Sequence, residues 1–472
     1  MEELASTLWV RHVERNWVLY PRWTSTPDDT MYDQEWPLNH TESNSPEGCD
    51  PGSDIDMPGG WAITHGDADV LIAIVDSGIA MEDGELCHPD LDDPDRILSG
   101  GNYSGYGDST DVTDTQGHGT FVTGIAAASA NNTAGIAGVC PECKVKVFKA
   151  WGSPGGRRAC SLAGLDAIEA AVESGADVVN FSAGIYCSYI DTLWEDVIAY
   201  ADAMDCLIVN AFDNAEPGSL YWNGIPELLA ISGNRPGHEC GYRNVIPVAA
   251  TDCTDELAYF SCWGPMVGVV APGGTGEFLS QDPDDILSDW KRVGQPPHVT
   301  VPCPVSYLRY TGCSYAAPHA TGLAALIRSV GSFPNSLVRD IIYCTADQID
   351  SGNHPYDQGV VCWDTTAQAA VVIDTLECPG GGERYRNQFY GYGRINAERA
   401  LSLAESLAAS SSVDAEAASK HEGRSPELRQ NRPNPFNPTT QRSTSIYPLM
   451  ARPGSLSMTS RAAGFELLWM VS

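Results

Sequence analysis

The chain has 472 residues, and its 27 basic and 62 acidic residues give a formal net charge of −35. This excess of negative charge argues against nucleic acid or an anionic membrane as a partner, and the sequence contains no run of about 18 apolar residues that would predict a membrane span. The 15 cysteines favour an oxidising compartment and several disulfides. We therefore expect a secreted, monomeric protein.

The first 55 residues show no strong periodicity and are expected to form an N-terminal arm. The start of the chain, Met1–Leu4, lacks the basic and then apolar region of a signal peptide. A secreted protein would therefore need a leader ahead of this sequence.

Strand-like and helix-like segments alternate from residue 69 onward. The strand-like runs are short and rich in Val, Ile and Leu, whereas the runs between them carry apolar residues at helical spacing. Strands are predicted at Val70–Val75, Lys144–Phe148 and Ala176–Phe181, and helices at Leu162–Ser174 and Trp194–Met204. This order predicts an α/β fold in which a parallel β-sheet is flanked by helices on both faces as a three-layer sandwich. Sites in such sheets lie at the carboxyl ends of the strands.

Three side chains match the parts of an activated serine nucleophile. Asp76 follows the first predicted strand, and His118 precedes a predicted helix over Phe121–Ala130. Ser314 stands ahead of an apolar segment, Ala320–Ile327, that is typical of a buried helix, and a helix N-terminus favours negative charge. A serine needs a base within hydrogen-bond reach, and the base needs an orienting partner. We interpret Ser314 as the nucleophile, His118 as the base and Asp76 as the orienting carboxylate.

The order of these residues, with the flanking segments 114–124 and 312–319, resembles that of the subtilisin-like serine peptidases, the subtilases. The resemblance covers about Asp54 to Leu401. It implies a serine endopeptidase that cleaves protein or peptide substrates through an acyl-enzyme and needs no cofactor for catalysis. A catalytically inactive subtilase fold used for binding is the alternative. An α/β-hydrolase esterase has the chain order Ser, Asp, His, which does not fit.

The resemblance also implies an oxyanion hole made by the N–H of the nucleophile and an asparagine side chain that follows a buried strand. Asn214 has the expected position after the strand-like segment Cys206–Asp213, and Asn234, in a Ser-Gly-Asn tripeptide, is the alternative. One strand-like segment is surplus to the fold, because both Leu228–Ser232 and Val245–Asp252 resemble the next strand of the family.

The main specificity pocket is implied to lie between two short segments. Its expected wall residues are Ser182, Ala183, Gly184 and Ala211. The family has small residues where this chain has Phe212 and Asp213. The sequence therefore does not determine the size of the pocket.

A structural calcium site is a further implication of the resemblance. Its expected ligands are the side chains of Asp90 and Asn132 and the carbonyl oxygens of Ala130, Ala134 and Ile136. An all-oxygen set suits calcium, and a solvated turn is the alternative. The acidic cluster Asp108, Asp111 and Asp114 is interpreted as a weak cation site or a solvated loop.

Two cysteine positions could carry other chemistry. Cys140 and Cys143 have the spacing of half a zinc site, but without a second pair a disulfide is predicted. Cys313 directly precedes Ser314, yet no cysteine-peptidase signature surrounds it. We expect it to be a small wall residue.

The sequence predicts four regions. Residues 1–55 are expected to be an N-terminal arm with a remnant of the family's pro-segment, and residues 56–405 the catalytic domain. Residues 406–425 are rich in Ala, Ser and Glu and are expected to form a linker or a frayed helix. Residues 426–472 resemble the beginning of a C-terminal sorting domain and are expected to be truncated or disordered.

Overall fold

A computed structural model describes residues 26–152, 161–183, 191–214, 244–264, 266–276, 282–291, 305–349, 356, 360–364, 369–373 and 375–421. Contacts divide the chain into the units 1–415 and 416–472, and only residues 416–421 of the second unit are described. The predicted pro-segment remnant over residues 1–25 and the sorting-like segment lie outside the described residues.

Seven parallel strands form the central sheet, with the bounds Leu71–Asp76 (β1), Ile97–Asn102 (β4), Lys144–Lys149 (β5), Val178–Phe181 (β6), Leu207–Ala211 (β7), Val245–Thr251 (β8) and Val269–Pro272 (β9). Their order across the sheet is β4-β5-β1-β6-β7-β8-β9. Every pair in this sheet is parallel. Strands β1, β6, β7 and β8 are almost completely buried, as expected of a parallel sheet covered on both faces.

The remaining strands form two-stranded antiparallel hairpins. They are Met81–Glu82 (β2) with Glu85–Leu86 (β3), Ile286–Lys291 (β10) with Val305–Tyr310 (β11), Val360–Asp364 (β12) with Ala369–Ile373 (β13), and Thr375–Glu377 (β14) with Glu383–Tyr385 (β15). The β10–β11 hairpin directly precedes the helix that carries Ser314, and its first strand packs on the helix that begins at His118.

The helices divide between the two faces of the sheet. Their bounds are Met57–Trp61 (α1), His118–Ala127 (α2), Ser161–Glu173 (α3), Asp191–Ala203 (α4), Cys313–Val330 (α5), Asn335–Thr345 (α6) and Ala397–His421 (α7), with a 3-10 turn at Tyr32–Gln34. Ile72 and Ile74 of β1 belong to the core shared with α2, α5 and α7, whereas Ala73 and Val75 belong to the core shared with α3 and α4. The predicted three-layer α/β fold is therefore confirmed. No helix in the described part of the chain is both long and apolar enough to cross a membrane.

The structure resolves which segment follows β7 in the sheet. Strand β8 pairs with β7 from Ile208 opposite Val245 to Ala211 opposite Val248. Of the two competing segments, Val245–Asp252 supplies this strand, whereas the segment 228–232 lies outside the described residues.

Disulfides link the N-terminal arm and surface segments to the catalytic domain. Cys49 of the N-terminal arm is bonded to Cys253, just after β8, and Cys344 is bonded to Cys378. The short Cys140–Cys143 pair is also a disulfide, as the sequence predicted. The arm is thus attached to the catalytic domain, and its residues Trp36 and Ile55 are buried in the main core.

Candidate active site

The carboxylate of Asp76 lies at the carboxyl end of β1 and is completely buried. The Nδ1–H of His118, the first residue of α2, donates to it, with distances of 2.8 Å to Oδ1 and 3.0 Å to Oδ2. The Ser77 backbone N–H donates to the same Oδ1 at 2.6 Å. The hydrogen bond between His118 and Asp76 fixes the orientation of the imidazole. It leaves Nε2 as the atom that can accept a proton.

Two opposing effects set the pKa of His118. Burial lowers it, but the charge of Asp76, the hydrogen bond to Asp76 and the charge of Asp114 together outweigh burial and raise the pKa above its ordinary value. The His118 side chain remains 24% exposed, so solvent or a substrate can reach it.

Asp114 organises the turn from which α2 begins, a role that its assignment to a weak cation site missed. Its Oδ1 accepts from Ser77 Oγ and from the N–H groups of Gln116 and Gly117. Its Oδ2 accepts from both the N–H and the hydroxyl of Thr120. Asp114 is buried, and these bonds satisfy N–H groups of the turn ahead of α2 and that of Thr120 in its first turn, with a carboxylate at the helix N-terminus. An acidic residue a few positions ahead of a helix is the signal that could have revealed it.

Ser314 lies in the first turn of α5, where backbone N–H groups have no acceptor within the helix. Pro318 occupies the position whose N–H would otherwise bond to the Ser314 carbonyl oxygen. The hydroxyl of Ser182 donates to that oxygen instead, at 2.8 Å. The Ser314 Oγ in turn donates to the Ser182 carbonyl oxygen at 3.3 Å. The loop after β6 and the first turn of α5 are therefore joined through these two serines.

An aromatic cluster supports His118 from the side of α5. The Tyr315 ring lies 5.5 Å from the His118 ring and 4.5 Å from the Phe121 ring, between centroids. A Cβ added to Gly117 would come within 2.7 Å of the Trp290 ring, so glycine is required where β10 crosses the start of α2. Phe121 and Tyr315 thus pack against each other, and Tyr315 also packs against the His118 ring.

Asn214 follows β7 and reaches the first turn of α5. Its side-chain oxygen accepts the backbone N–H of Cys313 at 2.8 Å, which leaves its amide NH₂ as the group that can donate to a substrate. The other candidate for this role, Asn234, lies outside the described residues.

The thiol of Cys313 contacts buried groups that follow β7 and β8. It is buried, donates to the Asp213 carbonyl oxygen at 3.2 Å and lies 3.4 Å from the hydroxyl of Ser261. Burial raises the pKa of Cys313, so the residue stays a neutral thiol. A thiol needs its thiolate form to attack, and this agrees with the interpretation of Cys313 as a wall residue.

The predicted walls of the specificity pocket lie at the ends of β6 and β7. Ser182 and Ala211 are buried, and Ala183 is half-buried, with its carbonyl oxygen accepting from Asn210 Nδ2 at 3.2 Å. Gly184 lies outside the described residues. Phe212 belongs to a separate core cluster that also contains Ala249, Cys262, Val270 and Tyr390, so its bulk fills that core.

Hydrogen bonds join four of the five residues predicted as calcium ligands at the loop that follows α2. Asp90 Oδ1 accepts from Asn132 Nδ2 at 2.8 Å, and Asp90 Oδ2 accepts from the Ile136 N–H at 3.1 Å. The Asn132 side-chain oxygen accepts from the Ala134 N–H at 2.7 Å. Among the described residues, no hydrogen-bond donor reaches the carbonyl oxygens of Ala130, Ala134 and Ile136. Those three oxygens therefore remain available to a cation.

The N-terminal arm adds a residue that sequence analysis did not name. Asp29 is buried and accepts from the backbone N–H of Asn131 at 2.8 Å, and the Met31 N–H donates to the Gly135 carbonyl oxygen. Burial raises the pKa of Asp29 to about 6, although the hydrogen bond from Asn131 lowers it. A buried carboxylate in this position favours a cation nearby.

Comparisons with known proteins show which proteins this chain is similar to. The model of the subtilase family matches residues 67–393. The thermophilic serine proteinase of Bacillus sp. (strain AK1) is 32% identical over 353 residues, which are 74% of this chain and 70% of the relative. The halolysin-like extracellular serine protease Nep of Natrialba magadii is 29% identical over 354 residues, 74% of this chain and 53% of the relative.

A solved structure of a protease from Pseudoalteromonas arctica PAMC 21717 has a similar fold, with a TM-score of 0.57 and 24% identity. The alignment covers 80% of this chain and 99% of that one.

Proposed function

The chain belongs to the subtilase family and is a subtilisin-like serine endopeptidase, and from this premise we propose that Asp76, His118 and Ser314 carry out the hydrolysis through an acyl-enzyme. The observation that carries the proposal is the pairing of His118 with the buried Asp76, next to the helix turn that contains Ser314. The catalytically inactive binding protein, the alternative from the sequence, gains no support from the described residues.

The first step transfers a proton from Ser314 Oγ to His118 Nε2 while the oxygen attacks the substrate carbonyl carbon. In this structure Ser314 Oγ donates to the Ser182 carbonyl oxygen at 3.3 Å, a long bond that costs little to exchange for one to His118. Asp76 then stabilises the imidazolium through the short bond to Nδ1–H. Because Asp76 already holds the ring, little reorganisation accompanies the charge that forms.

The oxyanion that develops on the substrate needs donors that are already in position. The Ser314 N–H is in the first helical turn and lacks a helical acceptor, and the Asn214 NH₂ is the second donor that we propose. Collapse of the tetrahedral species passes the proton from His118 to the leaving amine and leaves the acyl group on Ser314. A water molecule, deprotonated by His118, then releases the acid by the same steps in reverse.

The substrate is an extended segment of protein or peptide. A main-chain strand laid against exposed strand edges suits such substrates, and the segments after β6 and β7 end beside Ser314. We propose that Ser182, Ala183, Gly184 and Ala211 line the pocket for the residue ahead of the cleaved bond.

A calcium ion bound by Asp90, Asn132 and the carbonyl oxygens of Ala130, Ala134 and Ile136 would stabilise the enzyme. Among the described residues, the three carbonyl oxygens accept no hydrogen bond. Together with the buried carboxylates of Asp90 and Asp29, they fit an all-oxygen site. An ion here would join the N-terminal arm to the loop after α2, because both contribute residues to the same cluster.

We place the enzyme outside the cell. The relative from Natrialba magadii is described as extracellular, and the Cys49–Cys253 and Cys344–Cys378 disulfides suit an oxidising compartment.

A peptidase assay of matched variants tests the proposal. Wild type should hydrolyse casein, and Ser314→Ala should lose activity by a factor on the order of a million; that magnitude is the one known for loss of the nucleophile in subtilisin. Cys313→Ala serves as the control, because its thiol has no part in the mechanism and its activity should stay within about tenfold of wild type. Comparable turnover in purified, folded Ser314→Ala would disprove the assignment.

A further inference from the structure

Asp289, in the middle of strand β10, is a completely buried carboxylate without a hydrogen-bond donor. Its exposure is 0%, and neither Oδ1 nor Oδ2 has a partner among the described residues. A carboxylate removed from water without donors is strongly unfavourable unless a cation compensates it or a proton neutralises it. Asp289 is also not an accident of loose packing, because a Cβ added to Gly124 of α2 would come within 2.8 Å of its Oδ2.

A ring nitrogen of His88 that acts as an acceptor also lies beside Asp289. His88 Nδ1 lies 3.4 Å from Asp289 Oδ1, and Nδ1 also accepts a long bond of 3.4 Å from the Asp90 N–H. The other ring nitrogen, Nε2, lies 3.4 Å from the Ser306 carbonyl oxygen, to which its proton can be donated. In that tautomer the Nδ1 lone pair faces the carboxylate, and two electron-rich atoms oppose each other in a closed space.

A third possible ligand completes the group. His88, Asp90 and Asp289 each offer one ligand atom, these atoms all lie within 4.8 Å of one another, and all three residues are buried. The Nε2–H bond to a backbone carbonyl is the arrangement that commonly orients a metal-bound histidine.

Buried carboxyl groups outnumber the cations in this part of the structure. Asp29, Glu35, Asp90 and Asp289 are all at most 6% exposed. The buried guanidinium of Arg96 donates to the Ala127 and Cys143 carbonyl oxygens and to Ser129 Oγ, and Arg309 donates to the carbonyl oxygens of Pro283, Asp285 and Gln34 and to the Gln34 side chain. Neither arginine is within salt-bridge distance of Asp289 among the described contacts.

We propose that His88, Asp90 and Asp289 bind a divalent transition-metal ion of the zinc class, at a position separate from the calcium loop and joined to it through Asp90. An imidazole nitrogen with two carboxylate oxygens suits Zn²⁺ better than Ca²⁺, which takes oxygen ligands. Tetrahedral Zn²⁺ with bonds of about 2.0–2.2 Å needs ligand atoms about 3.4 Å apart, and His88 Nδ1 and Asp289 Oδ1 have that separation.

Such an ion would have a structural role. It would connect β10, through Asp289, to the segment 88–90, and β10 packs on α2, which begins at His118. The site therefore supports the catalytic base from a distance and does not touch the reacting atoms.

Metal retention by the full chain tests the proposal. The Ser314→Ala protein, which should not digest itself, is saturated with Ca²⁺, loaded with Zn²⁺ and dialysed against Ca²⁺ buffer. Elemental analysis should find one zinc per chain, and replacement by Co²⁺ should give the visible absorption of a four-coordinate ion. His88→Gln and Asp289→Asn should each weaken zinc binding by at least about tenfold, whereas Asp92→Asn, an exposed neighbour, should leave it unchanged.

X-ray absorption of the zinc-loaded Ser314→Ala protein gives an answer even if the two ligand variants fail to fold. We expect one imidazole and oxygen neighbours at about 2.0–2.2 Å. Sulfur neighbours, zinc that is lost on His118→Gln instead, or no retained zinc would each overturn the proposal. The last result would mean that Asp289 is a neutral carboxylic acid whose own proton lies between it and His88.

Discussion

The side-chain oxygen of Asn214 accepts the backbone N–H of Cys313 at 2.8 Å, which joins the end of β7 to the first turn of α5. The amide NH₂ is thereby left to donate beside Ser314. A side-chain amide that donates to an oxyanion contributes about 10² to 10³ in turnover. Asn214→Ala should lower kcat by that factor with little change in KM, measured on a peptide substrate.

Asn234→Ala is the matched comparison for this experiment, since Asn234 is the other asparagine that the sequence offered. Its kcat should change little. If the two variants behave in the opposite way, Asn234 is the donor and the contact between Asn214 and Cys313 is structural.

We expect the acid limb of the pH profile to report the titration of His118. The base must be neutral to accept a proton, and the neighbouring carboxylates raise its pKa despite burial. As pH falls, kcat/KM should therefore begin to drop above the ordinary imidazole value of about 6.5, and activity should persist into mildly alkaline solution. Burial lowers the pKa of His319 to about 4, so this second active-site-helix histidine does not titrate in the same range. An optimum near about pH 4 would rule out His118 as the base.

Asp114 should contribute to the stability of the fold. Asp114→Asn replaces one acceptor oxygen by an NH₂ group that faces buried donors, among them the N–H and hydroxyl of Thr120. Hydrogen bonds to a buried charge contribute about 1.5–3 kcal/mol each, so the free energy of unfolding should fall by about 3 kcal/mol or more. Urea unfolding in a Ser314→Ala background measures it.

The exposed Asp92→Asn variant is the control for Asp114 and should stay within about 0.5 kcal/mol of the parent. A loss below about 1 kcal/mol for Asp114→Asn would show that the bonds at the start of α2 are dispensable.

The sequence predicted the sheet and the segments that carry Asp76 and Ser314, because these depend on local patterns. The buried run that ends at Asp76 and the apolar helix after Ser314 are visible as short-range hydrophobic periodicity. Parallel alternation then brings strand ends to one edge. The helices extend beyond the predicted bounds mainly at their N-termini, where His118 and Ser314 belong to the first turns, because polar residues in a first turn interrupt the apolar pattern.

The parts that the sequence did not predict depend on contacts between distant segments. The β10–β11 hairpin brings Asp289 beside His88, which lies in a distant part of the sequence, and no local pattern reports such a contact. The role of Asp29 depends on the contact of the N-terminal arm with Asn131, which is about a hundred residues later in the sequence. The competition between two strand-like segments could be decided only by pairing, which gave the position beside β7 to Val245.

Calcium should slow thermal unfolding if the loop after α2 binds it. An ion that binds only the native state stabilises by mass action, so a chelator should lower the Tm of the Ser314→Ala protein. Asn132→Ala removes one proposed ligand and should abolish most of this difference. Thr133→Ala, an exposed neighbour in the same loop, should preserve it. A Tm that does not respond to chelator would remove calcium from the account.

Labelling with a serine-directed fluorophosphonate tests most directly whether Ser314 is an activated nucleophile. Mass spectrometry of the digested wild-type protein should find the adduct on Ser314. The label should be absent in Ser314→Ala and strongly reduced in His118→Ala, because the hydroxyl then lacks its base. A folded wild-type protein that takes up no label, or that carries the label at a residue other than Ser314, would contradict the account.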